Sequence, residues 1–278
     1  LHIKREDLAD PYIGGNKWRK LKYNLLLARE QRKNTLLTFG GAWSNHIYAT
    51  AAAGKQFGFK TIGIIRGEAH TRLTPTLQFA RECGMQLEHV DRRTYRNKNS
   101  KAFIVELQQR YGDFYLLPEG GSSQLALKGC AEIIDDINRP FDIITVACGT
   151  GATLAGIITG INPDQHATGF AVLKGADFLD RDVTTMLVEN GHASVNNWHI
   201  EKNHHFGGYA KTSNELFTFI RRFKSDFDIE LDAVYTGKMF YGLFDLISKG
   251  MFDRGTRIIA VHSGGLQGNA GFPELQSL

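Results

Sequence analysis

Short runs of apolar and β-branched residues alternate along the chain with longer segments whose apolar positions recur at helical spacing. Residues 35–39 read as a buried strand, Gly40-Gly41 as a turn, and Ser44 as the cap of a helix reaching about residue 57. Residues 61–65 form the next strand. Thr74 and Pro75 open a helix with Leu73, Leu77 and Ala80 on one face. Strands over 86–90 and 114–117 flank a helix around Phe103, Ile104 and Leu107, and Ser122 starts a helix carrying Leu125, Ile133 and Ile137. The pattern then repeats: strand 142–147, helix 153–161, strand 168–173, a helix capped by Ser213, a helix over 238–248 and a strand over 257–261. Segment 178–208, rich in His and Asn, reads as loop over a helix fragment. Strands alternating with helices predict an α/β fold of parallel sheets covered on both faces.

Composition narrows the class. Of 278 residues, 42% are hydrophobic and 22% charged, which excludes a chain too polar to bury a core. No apolar run approaches the ~20 residues of a membrane span. The net charge of +4 suits an anionic small ligand and is a weak signal for nucleic acid. The one dense basic run, residues 91–98, reads as a solvated loop entering a helix. Three widely spaced cysteines, Cys83, Cys130 and Cys148, form neither a disulfide framework nor a zinc knuckle, so a reducing, cytoplasmic compartment is expected. The chain opens at Leu1 and its first methionine is Met85, so further residues are expected in front.

Three segments place glycine and polar groups where a strand or turn hands over to a helix, the edge at which open α/β sheets bind ligands. In Cys148-Gly149-Thr150-Gly151-Ala152-Thr153-Leu154, glycines let backbone N–H groups converge on the positive end of a helix. Leu154 stands where a dinucleotide fingerprint needs its third glycine, and no Gly-Lys-Ser or Gly-Lys-Thr follows. A cup for one phosphate fits, and so does a simple tight turn. In Gly40-Gly41-Ala42-Trp43-Ser44-Asn45-His46, the three polar side chains could receive a carboxylate, although capping alone accounts for Ser44. In Gly14-Gly15-Asn16-Lys17-Trp18, Lys17 falls in the first turn of a helix, where the macrodipole disfavours a cation. It is either a solvated side chain or a working amine of the Schiff-base kind. Amine, phosphate cup and carboxylate receptor together are the parts that hold pyridoxal phosphate and an amino acid.

On these motifs the chain resembles the 1-aminocyclopropane-1-carboxylate deaminase and D-cysteine desulfhydrase family of tryptophan-synthase-β-like pyridoxal-phosphate enzymes. Lys4-Arg5-Glu6-Asp7, Val234-Tyr235-Thr236-Gly237-Lys238 and His262-Ser263-Gly264-Gly265 match as well, in family order over almost the whole chain. The resemblance implies two open, twisted, mostly parallel sheets flanked by helices, with the cofactor in the cleft between a larger domain (1–21 and 122–278) and a smaller one (22–121). It implies that Lys17 carries the cofactor and acts as the base at Cα. Asn45 would bond the ring hydroxyl, Gly149, Thr150, Gly151, Ala152 and Thr153 would hold the phosphate, and Ser263 would face the pyridine nitrogen. Ser44, Asn45 and His46 would meet the substrate carboxylate, with Tyr209, Tyr235 and Thr236 lining the rest of the pocket. Ser44, Tyr209 and Tyr235 join Lys17 as expected catalytic groups.

In that family, ring-opening deaminases carry an acid after the second tyrosine and a leucine before the late Gly-Gly pair. Here the positions hold Thr236 and Ser263, as in desulfhydrase-like members. The expected reaction is β-elimination from a small D-amino acid such as D-cysteine, giving pyruvate, ammonia and sulfide. The alternatives are ring-opening deamination of aminocyclopropane carboxylate and a non-catalytic protein that binds the cofactor. A homodimer follows from the resemblance, and no nucleic-acid, membrane or metal partner is expected. The histidines His192, His199, His204 and His205 lack an accompanying acidic ligand pattern.

Overall fold

The computed structural model describes residues 1–69 and 72–276. Two parallel sheets organise it. In chain order the first half holds β1 (His2–Arg5), α1 (Asn16–Glu30), β2 (Thr35–Gly40), α2 (Asn45–Phe57), β3 (Lys60–Arg66), α3 (Pro75–Glu82), β4 (Gln86–Val90), α4 (Arg92–Arg96), α5 (Lys101–Tyr111) and β5 (Tyr115–Leu117). The second half holds α6 (Gln124–Asp135), β6 (Ile143–Cys148), α7 (Ala152–Gly160), β7 (His166–Ala171), α8 (Phe178–Glu189), β8 (Trp198–Glu201), α9 (Asn214–Phe227), α10 (Thr236–Ser248) and β9 (Ile258–His262). The smaller sheet runs β4-β3-β2-β5 and the larger β1-β9-β6-β7-β8, all neighbours parallel.

Buried strands such as β2 and β6 are apolar on both faces because helices cover both sides. The larger sheet separates a core of Leu154, Ile157, Leu179 and Val183 from a second one of Ile220, Phe223, Phe240 and Leu243. Local chemistry starts the helices where the side chains allow it. Ser44, Thr74, Ser100 and Ser213 each accept a backbone N–H of the first turn. The basic run resolves into the Asp91-capped α4 and the start of α5. The cap of α6 is Ser123 where the sequence pointed to Ser122, and Ile137 lies beyond its end.

Three elements in two regions differ from the sequence reading. Segment 178–208 is a full helix, α8, followed by β8 on the edge of the larger sheet. Leu179, Val183 and Leu187 carry the helical spacing and are buried, but dense polar neighbours mask it. The N-terminal strand β1 was not expected, since His2-Ile3-Lys4-Arg5 has one apolar residue. It forms by pairing His2 with Ile259 through Arg5 with His262, and buried Glu6 bonds Arg19 beneath it. No helix among the described residues is long and apolar enough to cross a membrane.

Candidate active site

The centre of the site is the start of α1. Gly15 takes φ +66° and ψ −150°, a conformation open to glycine, and delivers Asn16 and Lys17 into the first helical turn. Lys17 Nζ donates to Asn16 Oδ1 at 2.8 Å, and Asn16 Nδ2 donates to Thr153 Oγ1 at 2.8 Å. This relay brings the amine and the 149–153 loop into one site, although 132 or more residues separate them in sequence. Burial, then the charge of Lys20, pulls the Lys17 ammonium down to about 7. An amine in that range is available as a nucleophile near neutral pH.

The loop itself leaves a helix terminus open. Gly151 caps α7 in the left-handed region at φ +78°, and no side chain bonds the first turn. The leading N–H groups of α7 therefore have no side-chain acceptor and point with the positive end of the helix dipole. Ser122 Oγ donates to Thr150 Oγ1 at 2.9 Å on one side. On the other, a Cβ at Gly149 would lie 3.1 Å from Tyr235 Cε1, so glycine lets the tyrosine ring approach.

A second cation, not marked out by the sequence motifs, lies close by. Lys20 is buried, donates to the carbonyl of Gly120 at 3.2 Å, and is pushed down in pKa by that burial. A Cβ at Gly120 would lie 2.9 Å from Thr150, which sets Lys20 and the loop around the same glycine turn. The signal was available, because Lys20 is three residues after Lys17 on one helical stripe. Asn16, part of the glycine motif in sequence, is the link between amine and loop.

The far wall is the 263–267 turn. The cleft is lined by Asp7, Asp10, Asn16, Lys17, Asn45, Tyr48 and this turn. Asn45, at the start of α2, accepts from Gln267 Nε2 at 2.9 Å, so the helix of one sheet is tied to the turn after the last strand of the other. Ser263 O accepts from Asn16 N at 3.3 Å. Both lining acids are occupied: Asp7 by Arg5 in a two-pronged pair, Asp10 by the N–H groups of Tyr12 and Ile13.

Tyr209 and Tyr235 meet with their hydroxyls 3.5 Å apart and their rings edge to face. Burial and the neighbouring phenol raise the Tyr235 pKa well above its usual value, so it stays protonated and can donate. Ser44 keeps its capping role, accepting from Ile47 N at 3.3 Å, while its own hydroxyl proton remains available.

Two expected substrate contacts are corrected by the geometry. His46 is 2% exposed, with Nε2 2.9 Å from Thr38 Oγ1, so its ring lies beneath the cleft and cannot front a carboxylate. Burial, with Lys17 and Lys20 nearby, drives its pKa to about 3 and keeps it neutral. Thr236 is fully buried: its hydroxyl donates to Asp232 Oδ1 at 2.7 Å and accepts from Asp232 N at 2.9 Å. Asp232 also takes the N–H groups of Val234, Tyr235 and Thr236, capping α10. Thr236 thus completes a helix cap, and an acid in its place would face the Asp232 carboxylate.

The histidine-rich segment lies elsewhere. His199 pairs with His166 at 2.7 Å on the sheet edge, and His204 sits between Glu201 and Asp245. Among the described residues no group of three or more His, Cys, Asp or Glu is arranged to hold a metal ion.

The assembled parts fit pyridoxal phosphate on their chemistry: a depressed-pKa amine, an uncapped helix terminus with Thr150, Thr153 and Lys20 beside it, an amide at Asn45 and a hydroxyl at Ser263. Similar proteins agree. An Arabidopsis thaliana bifunctional D-cysteine desulfhydrase/1-aminocyclopropane-1-carboxylate (ACC) deaminase is 32% identical over 96% of this chain and 73% of its own. A D-cysteine desulfhydrase of Salmonella choleraesuis is 26% identical over 95% of this chain and 86% of its own. A solved ACC deaminase homologue superposes with a TM-score of 0.86 at 31% identity, covering 99% of this chain and 88% of that one. The model of the pyridoxal-phosphate dependent enzyme family matches residues 1–264, and the chain belongs to that family.

Proposed function

We propose that the protein eliminates a β-substituent from a small D-amino acid of the D-cysteine kind, D-cysteine plus water giving pyruvate, ammonia and sulfide. The observation that carries this reading is the character of the far wall. Ser263, a neutral hydroxyl, lines the cleft there, while the nearest acids are saturated by other partners. When bound, the cofactor supplies an electron sink for the charge left at Cα. A serine hydroxyl, unlike a carboxylate, does not hold a proton on the pyridine nitrogen, so the sink is shallow and loss of a β leaving group is favoured over reprotonation.

The remaining roles follow from position. The open N-terminus of α7, the hydroxyls of Thr150 and Thr153, and Lys20 hold the phosphate, and Asn45 bonds the ring hydroxyl. Lys17, neutral above about 7, removes the Cα proton. Ser44 and the N-terminus of α2 receive the substrate carboxylate. Tyr209 and Tyr235 flank the departing group, and Tyr235, held protonated by burial, supplies its proton. The distribution of strands between the two sheets supports division into residues 1–21 with 122–278, and 22–121, meeting at α1. Three free thiols support a cytoplasmic setting, and a homodimer follows from the family resemblance alone.

The names of the relatives favour one second reading, ring opening of ACC. The test is a panel of D- and L-cysteine, D-serine and ACC assayed for keto-acid, ammonia and sulfide. Sulfide from D-cysteine should outpace keto-acid from ACC by about tenfold or more, a gap of about 1.4 kcal/mol in barrier. Robust ring opening without sulfide release would reverse the assignment.

The lowered Lys17 pKa makes a separate prediction. Capture of pyridoxal phosphate by cofactor-free protein, followed by visible absorption, should accelerate as pH rises through about 7 and then level off. The sign follows from the neutral amine being the reacting form. An ordinary exposed lysine would keep accelerating towards its usual pKa of about 10.4. A profile still climbing at pH 9 would show that burial does not tune this amine.

A further inference from the structure

Lys238, in the first turn of α10, is 1% exposed. Its three hydrogen bonds all go to backbone carbonyls: Gly208 O at 2.7 Å, His205 O at 3.0 Å and Val172 O at 3.5 Å. Burial lowers its pKa to about 8, the mark of an ammonium held at a desolvation cost. A helix packed on a core has no need of such a group, since an apolar side chain would fill the space without that cost. What it holds is unusual. Phe206 (φ +53°), Gly207 (+90°), Gly208 (+125°) and Ala210 (+53°) lie in the left-handed region, two of them without glycine's freedom. Strained backbone of this kind persists only where its surroundings over-determine it.

The surroundings come from one face of α10. Asp245 Oδ2 pairs with His204 Nε2 at 2.9 Å, the Tyr241 ring packs edge-on against Phe206 with centroids 4.8 Å apart, and Lys238 takes the carbonyls of His205 and Gly208. Positions 238, 241 and 245 recur at helical spacing, so successive residues of the loop are gripped by successive turns. Gly242 leaves room for this, because a Cβ there would lie 2.8 Å from His204 Cγ. The next residue along the loop is Tyr209, and the residue before α10 is Tyr235. One helix therefore fixes both members of the tyrosine pair.

We infer that Lys238 is a positioning residue for the Tyr209–Tyr235 pair, acting through the 205–208 backbone and touching neither substrate nor cofactor. This rests on the reading of that pair as the wall of the substrate pocket. Replacing the ammonium leaves the carbonyls of His205 and Gly208 only their local turn bonds from Gly208 N and Lys211 N, and it removes the tie between the strained loop and α10, which lets Tyr209 move off Tyr235. The hydrogen bonds of Lys238 go to Val172, His205 and Gly208 and none to Lys17 or the 149–153 loop, so cofactor attachment is expected to survive its replacement.

The test compares Lys238→Met, Tyr209→Phe and the double variant in the full chain, with Lys238→Gln as a milder replacement that can still donate two hydrogen bonds. Backbone hydrogen exchange over residues 206–211 in cofactor-free protein should quicken about tenfold or more in Lys238→Met and recover in part in Lys238→Gln. With bound cofactor and D-cysteine, Lys238→Met should lose about tenfold in kcat/KM while keeping the visible absorption of the wild type. The double variant should be no worse than twofold below the poorer single variant, because both changes disable one group. A purely structural lysine would give losses that multiply, and that outcome overturns the inference. Unchanged exchange over 206–211 overturns it too. If Lys238→Met does not fold, the same comparisons in Lys238→Gln decide. If no elimination is detected in the wild type, the functional reading falls and exchange over 206–211 alone decides the tether.

Discussion

Lys17→Ala should abolish turnover, by about 10³-fold or more, and the visible absorption of bound cofactor should vanish with it. The substitution removes the one amine that the Asn16 relay ties to the 149–153 loop. Lys20 cannot replace it, being directed to the carbonyl of Gly120. The fold should not suffer. Lys17 lies in the first turn of α1, where the helix dipole disfavours a cation by about 0.3–1 kcal/mol and alanine is the better helix former. Compared as cofactor-free proteins, the variant should melt at the same temperature as wild type or a few degrees higher, roughly 2–4 °C per kcal/mol. Activity and stability thus move in opposite directions, which separates loss of a reacting group from general damage. A variant that keeps both turnover and absorption would remove Lys17 from the mechanism.

Gly15→Ala should be severely damaging for the addition of one methyl group. A Cβ there would lie 1.9 Å from Ser263 O, 2.5 Å from its carbonyl carbon and 2.9 Å from Gly264 N, all backbone atoms that no rotamer can move aside. The backbone angles are also closed to alanine, at about 1–3 kcal/mol, and overpacking adds about 1–3 more. The melting temperature should fall by about 5–15 °C. Cofactor retention should fall further than stability, because the contact that breaks is the one placing Lys17 opposite Ser263. Gly14→Ala is the matched control: its Cβ would meet Asp10 O at 3.2 Å and its φ is not in the left-handed region. Equal effects of the two substitutions, measured by melting and by cofactor titration, would show that the close approach of the two turns does not matter.

Much of this protein is written locally. A serine or threonine cap needs only an N–H two or three residues ahead, so Ser44, Thr74 and Ser213 mark helix starts without reference to the rest of the chain. Apolar runs such as 143–148 need only burial on two faces to become central strands, and glycines at strand ends announce the open loop before α7. These short-range rules, with the family motifs, suffice for the α/β class and the cofactor, and they single out Lys17 as the candidate amine. Polar side chains are another matter, because their role depends on which partner reaches them. Thr236 looks like a pocket hydroxyl until Asp232 caps α10 and takes it. His46 looks exposed at a helix start until Thr38 of the neighbouring strand draws it inward. Strand β1 exists only through pairing with β9, more than 250 residues later, and α8 and β8 needed the larger sheet to reveal their buried sides. Lys20 and Lys238 look like ordinary surface cations in sequence, and only packing shows that one lies beside the candidate phosphate loop and the other holds the tyrosine loop. The division has one physical cause: hydrophobic period and capping are satisfied within a few residues, whereas desolvating a polar group is settled by whatever the fold brings to it from far away.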